Sequence, residues 1–426
     1  MMTCMLISME CFEIDIDETD VHISYLPLAH IFERMLNVAL TCSGSRIGFF
    51  RGNSKKNFKD LKVLNLVEDI QILKPTLFVS VPRLFNRIYA KLVDGTINAA
   101  GVRGMLFRKA VSDKLNNLKQ YNTVHHSIWD RILFSRVAAI LGGRVRLMLT
   151  ASAPLAGEVM NFLRVCFSCP MIEAYGATET TGLGTLTFMN DFSTGHVGVP
   201  FPCVEIKLVD VPEMNYLSSD KPCPRGEICI RGHSIFKGYF KDPKNTKESL
   251  DDEGWYLTGD IGKITQNGKL AVIDRKKNIF KLAQDEYVAP EKIENVYLNC
   301  EYLAQIFVHG DPLQAELVAI VVPEPTKLSQ LANKLGLQNQ NLENLCRSDV
   351  IKEKLLAEMN QVAKYQKLQG FEIVRAIYIE HSPFTVENDL LTSTMKLKRA
   401  KAKQFYKLQL DKLYDELNRS KQLSKL

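Results

Sequence analysis

Residues 144–175 constrain the fold of this chain more than any other stretch. Residues 144–150 alternate as a strand, residues 155–168 read as a helix entered after Pro154, and residues 170–175 form a short apolar strand. Two strands joined by one helix predict parallel pairing through a right-handed crossover. Just upstream, Ile128, Ile132, Leu133, Val137 and Ile140 recur at helical spacing over residues 127–141, and Gly142-Gly143 end that helix as C-terminal glycines do. In open parallel sheets, ligands bind beyond the carboxyl ends of the strands. The residues after the second strand, Tyr175-Gly176-Ala177-Thr178-Glu179-Thr180, are therefore the first candidate site.

Further along, the pattern changes. Residues 204–209 and 227–231 alternate with turn signals between them, and Asn267-Gly268 is a hairpin signal flanked by residues 261–265 and 269–274. This predicts a small antiparallel block. Past Asp274 come Arg275-Lys276-Lys277, a helix over 289–299, strands over 305–309 and 317–322, and helices over 350–366 and 396–417. The expected domains are a leader over 1–20, a large unit over 21–273 and a small α+β unit over 274–426.

Charge and cysteine content narrow the function classes. The net charge of +6 comes from 54 basic and 48 acidic residues. Residues 391–426 hold ten Lys/Arg and three Asp/Glu, net +7, so the rest of the chain sums to about −1. A near-neutral body with a basic tail argues against a nucleic-acid-binding protein. The longest apolar runs, such as residues 317–322, are far shorter than the ~20 residues of a spanning helix, so no transmembrane segment is expected. The tail leaves peripheral membrane association open. The ten cysteines lie mostly in apolar contexts, as buried thiols of a reduced compartment do. Cys166 and Cys169 have Cys-x-x-Cys spacing but lack the second pair of a zinc ribbon, and a core helix end is a plainer reading than a redox pair. The final Ser424-Lys425-Leu426 is, at a free C-terminus, a peroxisomal address read by the import receptor. Cytoplasmic residence, or the cytosolic face of the endoplasmic reticulum, is the alternative.

Four segments carry chemistry. In the Tyr175 segment an aromatic can stack on a base, while a hydroxyl and a carboxylate can hold phosphate and Mg²⁺, which takes hard oxygen ligands. In Tyr256-Leu257-Thr258-Gly259-Asp260 the carboxylate can accept from two ribose hydroxyls. Asp274-Arg275-Lys276-Lys277-Asn278 puts a guanidinium at the domain junction, where nucleotide contact and domain rotation meet. Leu391-Thr392-Ser393-Thr394-Met395-Lys396 leads into the basic last helix and ends on a lysine able to reach a neighbouring cleft. Each segment alone has an ordinary explanation: a polar loop, a Gly-Asp turn, a solvated charge run, a helix start.

In order and together, they resemble the AMP-forming, or adenylate-forming, acyl-CoA synthetases in their eukaryotic long-chain fatty-acid branch. The phrases that carry the resemblance are SYLPLAHIFER from Ser24, KPTLFVSVPRLFNRIY from Lys74, EAYGATET from Glu173, VPEMNYLSSDKPCPRGEICIRG from Val211, GWYLTGDIG from Gly254 and IDRKKNIFKLAQDEYVAPEKIENVY from Ile273. The resemblance covers about residues 20–417. It implies an α/β fold. A partial adenylate-forming N-terminal domain, with parallel sheets, helices and a small β subdomain, would be followed by a small mobile α+β domain. It also implies a long-chain fatty acid–CoA ligase using ATP, Mg²⁺ and CoA. A fatty acid would attack the α-phosphate of ATP to give acyl-AMP and pyrophosphate, and CoA would then displace AMP. Carried over by motif, Tyr175 and Gly176 would lie at the adenine, Thr178 at the phosphates and Glu179 at Mg²⁺. Asp260 would bind the ribose, Arg275 the nucleotide, and Asp274 would be the hinge. Lys396 would bridge acyl carboxylate and phosphate in the first step only. His30 is read either as a group near the acyl carboxyl or as a helix-start packing residue.

Three departures stand against this. The Gly/Ser/Thr-rich phosphate loop ending in lysine is expected some tens of residues before Ser24, and only the unlike residues 1–23 stand there, so the chain is expected to be N-terminally truncated. Without that cradle of N–H groups and its lysine, these 426 residues would make little acyl-AMP. Asp285 replaces a glycine that flanks the CoA channel, and Ala151 replaces a glycine of the adenine-side loop. The second reading is accordingly a catalytically impaired paralogue that binds nucleotide or acyl chain without turnover. For the truncated chain, the resemblance also implies an open sheet edge with exposed apolar surface.

Overall fold

The computed structural model describes residues 10–52, 61–284, 286–337, 340–392 and 395–423. Asp285 and Ser424-Lys425-Leu426 lie outside the described residues. The chain divides into two compact units, residues 1–258 with 262–272 and residues 259–261 with 273–426.

A seven-stranded sheet organises the first unit. Its strands are β1 (Val21–Ser24), β2 (Arg46–Phe49), β3 (Leu77–Ser80), β4 (Leu147–Thr150), β5 (Met171–Tyr175), β6 (Thr185–Leu186) and β7 (Val199–Pro200), ordered β2-β1-β3-β4-β5-β6-β7. From β2 to β5 every neighbour is parallel, and β6 and β7 join antiparallel. The crossover expected over residues 144–175 is formed by β4, a helix over Gly157–Phe167 and β5. Ser168, in the left-handed conformation at φ 52, ends that helix.

β1 and β3 are buried along their whole length, as parallel strands covered on both faces must be. Strand alternation then sorts their side chains. The helix α1 (Ile31–Cys42) lies on one face, and α2 (Leu61–Leu73), α3 (Pro82–Gly95), α4 (Gly101–Tyr121) and α5 (Gly157–Phe167) on the other. Phe78 packs with Ile70, Phe85, Phe107 and Leu163 from the second group, whereas Leu77 and Val79 pack with Phe32, Leu36 and Leu40 of α1. Phe12 and Ile14, in the segment read as a leader, are buried in the α1-side core, with the Phe12 ring 4.9 Å from Phe188 and 5.4 Å from Phe201. β2 ends the sheet among the described residues, and its Phe49 is 67% exposed.

The helix expected over residues 127–141 is instead composite. A π turn over Asp130–Phe134 passes into one α turn, Ser135–Ala138, and a 3-10 turn, Ala139–Leu141, that Gly142 closes at φ 86. The wide turn begins at Asp130, whose carboxylate is pinned by Lys114 (2.5 Å), Ser168 (3.0 Å) and the His126 N–H (2.9 Å).

The antiparallel block is a four-stranded sheet of β8 (Val204–Val209), β9 (Arg225–Gly232), β10 (Tyr256–Ile264) and β11 (Leu270–Arg275), ordered β11-β10-β9-β8. Its Asn267-Gly268 turn forms as expected. Gly268 takes φ +74 and donates its N–H to the Thr265 carbonyl at 2.9 Å.

The second unit holds a two-stranded ribbon, β12 (Phe280–Lys281) with β13 (Tyr287–Val288), and a three-stranded sheet, β14 (Leu303–His309), β15 (Leu317–Pro323) and β16 (Val374–Ile379), with β15 central. β15 is buried at every position, and its alternation is clean. Leu317, Ala319 and Val321 face a core with α6 (Pro290–Tyr297), α7 (Pro325–Lys334) and α8 (Asp349–Tyr365). Val318, Ile320 and Val322 face a core with α9 (Arg399–Phe405) and α10 (Lys407–Leu423). The single helix expected over 396–417 is corrected here. It starts only at Arg399, because Lys396 is taken up in a turn in which Thr392 N–H donates to the Lys396 carbonyl (2.8 Å) and Lys396 N–H to the Thr392 hydroxyl (3.0 Å), and it is broken at Tyr406. Among the described residues, no helix is long and apolar enough to cross a membrane.

Candidate functional site

Within the first unit the candidate residues gather at the carboxyl end of β5. Gly176 has no room for a side chain, since a Cβ there would fall 2.4 Å from the Gly182 carbonyl oxygen. The turn then closes on itself. Gly182 N–H donates to the Ala177 carbonyl (2.9 Å) and Ala177 N–H to the Thr180 hydroxyl (3.0 Å), with Thr181 forced to φ 56. Thr178 is left exposed at the tip. Glu179 is half-buried and held from residues 234–239: the Tyr239 hydroxyl donates to its Oε1 at 2.7 Å, and Phe236 N–H to its carbonyl at 2.8 Å. The Glu179 carboxylate is thus fixed in orientation beside the exposed Thr178.

Two neighbours stiffen this loop from beneath. Glu173, on β5, is 4% exposed, and burial pushes its carboxyl up to about 8, against the pull of the Leu155 N–H and Arg164. Its Oε1 accepts from Leu155 N–H at 3.3 Å, tying β5 to the loop over residues 151–155. In that loop the strained position is Ser152, at φ 78, while Ala151 is absent from the left-handed residues, so alanine there carries no backbone strain. His30 caps α1, its Nδ1 accepting from Phe32 N–H at 3.3 Å. The same helix meets the site turn, because a Cβ at Gly182 would lie 3.0 Å from Met35 and 3.7 Å from Ile31.

Within the second unit a second set assembles. Arg275 Nε lies 3.2 Å from Asp260 Oδ1. Asp274 is 2% exposed, and its two oxygens accept separately from Arg275 N–H (2.6 Å) and Glu291 N–H (2.8 Å). Burial, then the nearby Glu291 charge, pushes the Asp274 carboxyl up to about 7. Lys396 is exposed as a residue, yet its ammonium is crowded by protein. That crowding, then Arg275, pulls its pKa down, and Glu291 and Asp260 oppose the shift. Asp260 is thus paired with Arg275, Asp274 holds the Arg275 and Glu291 backbone, and the charges of Arg275, Glu291 and Asp260 act on Lys396; sequence reading missed Glu291. The turn presenting Lys396 is anchored by Arg399, which pairs with buried Glu294. Glu294 in turn accepts from Val308 N–H at 2.7 Å. Burial lifts the Glu294 carboxyl to about 7 against the pull of Arg399.

Chemically, the first set offers an aromatic, a hydroxyl and an oriented carboxylate. The second offers two cations and carboxylates able to grip hydroxyls. Among the described residues, no group of three or more His, Cys, Asp or Glu could hold a metal on its own. Glu179 could give a Mg²⁺ ion one oriented hard-oxygen ligand, the remaining ligands having to come from outside these side chains. Cys166 and Cys169 are buried, and burial pushes both thiols up, that of Cys169 to about 12. They are inert core residues, as the plainer sequence reading expects.

Comparison with known proteins gives the family. The family described as AMP-binding enzyme matches residues 1–240. The chain is 45% identical over 409 residues to long chain acyl-CoA synthetase 6, peroxisomal, of Arabidopsis thaliana, covering 96% of this chain and 57% of that protein. It is 45% identical over 398 residues to human long-chain-fatty-acid–CoA ligase 1, covering 93% of this chain and 55% of that protein. Among solved structures, the A domain of carboxylic acid reductase from Segniliparus rugosus, in complex with AMP and a co-purified carboxylic acid, matches with a TM-score of 0.72 and 28% identity, over 93% of this chain and 55% of that one. The chain therefore spans little more than half the length of the relatives it matches.

Proposed function

Because this chain belongs to the AMP-binding enzyme family, we propose that it serves an AMP-forming long-chain fatty acid–CoA ligase. The observation that carries the reading is the clustering of Asp260, Arg275 and Lys396 in a chain 45% identical to long-chain ligases. In this reading a fatty-acid carboxylate oxygen attacks the α-phosphorus of ATP, the bond to pyrophosphate breaks, and acyl-AMP forms. The CoA sulfur then attacks the acyl carbonyl, and AMP leaves with the bonding pair. Tyr175 stacks on adenine beside Gly176, and Thr178 donates to phosphate. Asp260 accepts from ribose hydroxyls, and Arg275 contacts the nucleotide. Lys396 places its ammonium against the oxygens that gain charge in the first step. Asp274 acts as the hinge, and His30 lies near the acyl carboxyl. Mg²⁺ at Glu179 would neutralise charge on the ATP phosphates. The C-terminal Ser424-Lys425-Leu426 addresses the protein to peroxisomes through the import receptor, in keeping with the name of its Arabidopsis relative.

The test uses a non-hydrolysable palmitoyl-AMP analogue, which needs no triphosphate cradle. Calorimetry is expected to show it binding at least 100-fold more tightly than AMP, because acyl and nucleotide parts are held together. Gly176→Ala should weaken that binding at least tenfold, since the added methyl displaces the Tyr175–Thr178 turn. Equal affinity for AMP and the analogue would refute the ligase reading.

A further inference from the structure

A cavity of about 210 Å³ opens in the first unit between α3, α4 and the composite helix over residues 130–141. Its floor is apolar, made by Leu92, Phe107, Leu133 and Val137. Exposed Lys91, Arg103 and Arg136 also line it. Among the described residues no acidic side chain lines the cavity, and neither does any residue assigned above to nucleotide, metal or acyl group.

The walls are held in place from outside the cavity. α3 ends at Gly95, and the connection to α4 is tied back on itself. The Thr96 hydroxyl donates to the Leu92 carbonyl (2.6 Å), Asn98 N–H to the Val93 carbonyl (2.9 Å) and the Arg108 guanidinium to the Ile97 carbonyl (2.7 Å). Gly104 lets α4 pass close to this connection, since a Cβ there would fall 1.7 Å from the Ala99 carbonyl oxygen. The third wall begins in the π turn, a form that recurs at functional sites. Buried Lys114 fixes that turn, its ammonium donating to Asp130 (2.5 Å) and Ser168 (2.6 Å). Leu133, Arg136, Val137 and Ile140 then share one side of the segment and face the cavity. The Thr96 hydroxyl is already bonded, so a ligand here meets mainly apolar surface and positive charge.

We propose that this cavity is a second binding site, for a small amphipathic anion. Its apolar body lies on Leu92, Phe107, Leu133 and Val137, and its carboxylate meets Arg103, Arg136 and Lys91. Volume sets the size: a dry apolar cavity of roughly 150 Å³ accepts benzene, so this one takes a body of about eight carbons. A palmitoyl chain is too long to enter whole, which separates the cavity from a site for a long-chain acyl group. Charge selects a carboxylate over an alcohol or amine, and the apolar floor selects it over inorganic phosphate. The cavity has no carboxylate to accept from ribose hydroxyls, which argues against a nucleotide. Binding needs no turnover, so the inference stands apart from the ligase reading.

The probe is octanoate, monomeric at low-millimolar concentration. Spectra of the purified chain labelled at Ile, Leu and Val methyl groups should shift at Leu92, Leu133, Val137 and Ile140, with a dissociation constant of about 1 mM or tighter. Butanoate and octanol should each bind at least tenfold more weakly, the first for lost apolar contact and the second for lost charge. Arg103→Glu with Arg136→Glu should weaken octanoate at least tenfold and octanol less than twofold, at unchanged melting temperature. Leu133→Trp, which fills the cavity, should abolish the shifts at Leu92 and Val137 for both. Saturation with the palmitoyl-AMP analogue should change octanoate affinity less than twofold. Displacement of octanoate by that analogue would place it in the acyl site and overturn the proposal. So would equal affinity for octanol, or no shift at these four residues. If the analogue itself fails to bind, the ligase reading falls and the methyl shifts still decide this one.

Discussion

In this chain completed at its N-terminus with the phosphate-loop segment of a long-chain ligase relative, replacing Lys396 by alanine is expected to lower palmitate-dependent ATP–pyrophosphate exchange about 10²–10³-fold while leaving palmitoyl transfer from preformed palmitoyl-AMP to CoA within about twofold. The split follows from where charge develops. In the first step the carboxylate and the α-phosphate, both anionic, must approach, so a cation at the reacting oxygens acts mainly in that transition state. In the second step the acyl-AMP already exists, and no carboxylate has to be brought to a phosphate. The position of Lys396 suits such a role. The hydrogen bonds between Thr392 and Lys396 and the Arg399–Glu294 pair fix where the lysine begins, and the Arg275 charge depresses its pKa. Equal loss in both half-reactions would make Lys396 a structural residue and remove it from the first step.

The second large effect concerns stability. Glu173→Gln is expected to stabilise the chain by a few kcal/mol at pH 8.5 and by almost nothing at pH 4.5. Burial lifts the folded-state carboxyl from its ordinary 4.5 to about 8. Between those values the unfolded chain is ionised at this position and the folded chain is protonated, so stability declines by about 1.4 kcal/mol per pH unit as pH rises. Glutamine keeps an acceptor for Leu155 N–H and removes the ionisation. Paired melting curves from pH 4.5 to 8.5 should therefore diverge as pH rises. A constant gap, or a variant less stable at high pH, would show that Glu173 is ionised in the folded state. Because Glu173 lies in the strand that ends at Tyr175, its protonation also bears on how firmly the site loop is held.

How far the sequence foretold these features depends on their range. The β4–helix–β5 crossover and the Asn267-Gly268 hairpin were legible because each is set by neighbours in the chain: strand period, a proline entry, a glycine able to take φ +74. Within each unit, motif residues also came together: Tyr175 to Glu179 lie on one turn, Asp260 pairs with Arg275, Asp274 holds the Arg275 backbone, and the charges of Arg275 and Asp260 act on Lys396. Long-range groups were not legible. Arg399 and Glu294 are 105 positions apart, and nothing local in either residue's context marks the pair. Nothing in the local context of Glu173 marks it as buried, since its burial depends on the sheet around it. The last helix was drawn too long because lysine-rich periodicity runs smoothly through Lys396, while the turn that removes this residue is made by the Thr392 hydroxyl.

The ligase reading is tested most directly by incubating the purified chain with preformed palmitoyl-AMP and CoA, and measuring both products by mass spectrometry. This half-reaction requires no triphosphate. The expected result is palmitoyl-CoA and AMP in equal amounts, dependent on CoA and lost in Asp260→Ala. Palmitoyl-AMP left intact, or hydrolysed to palmitate without thioester, would contradict it.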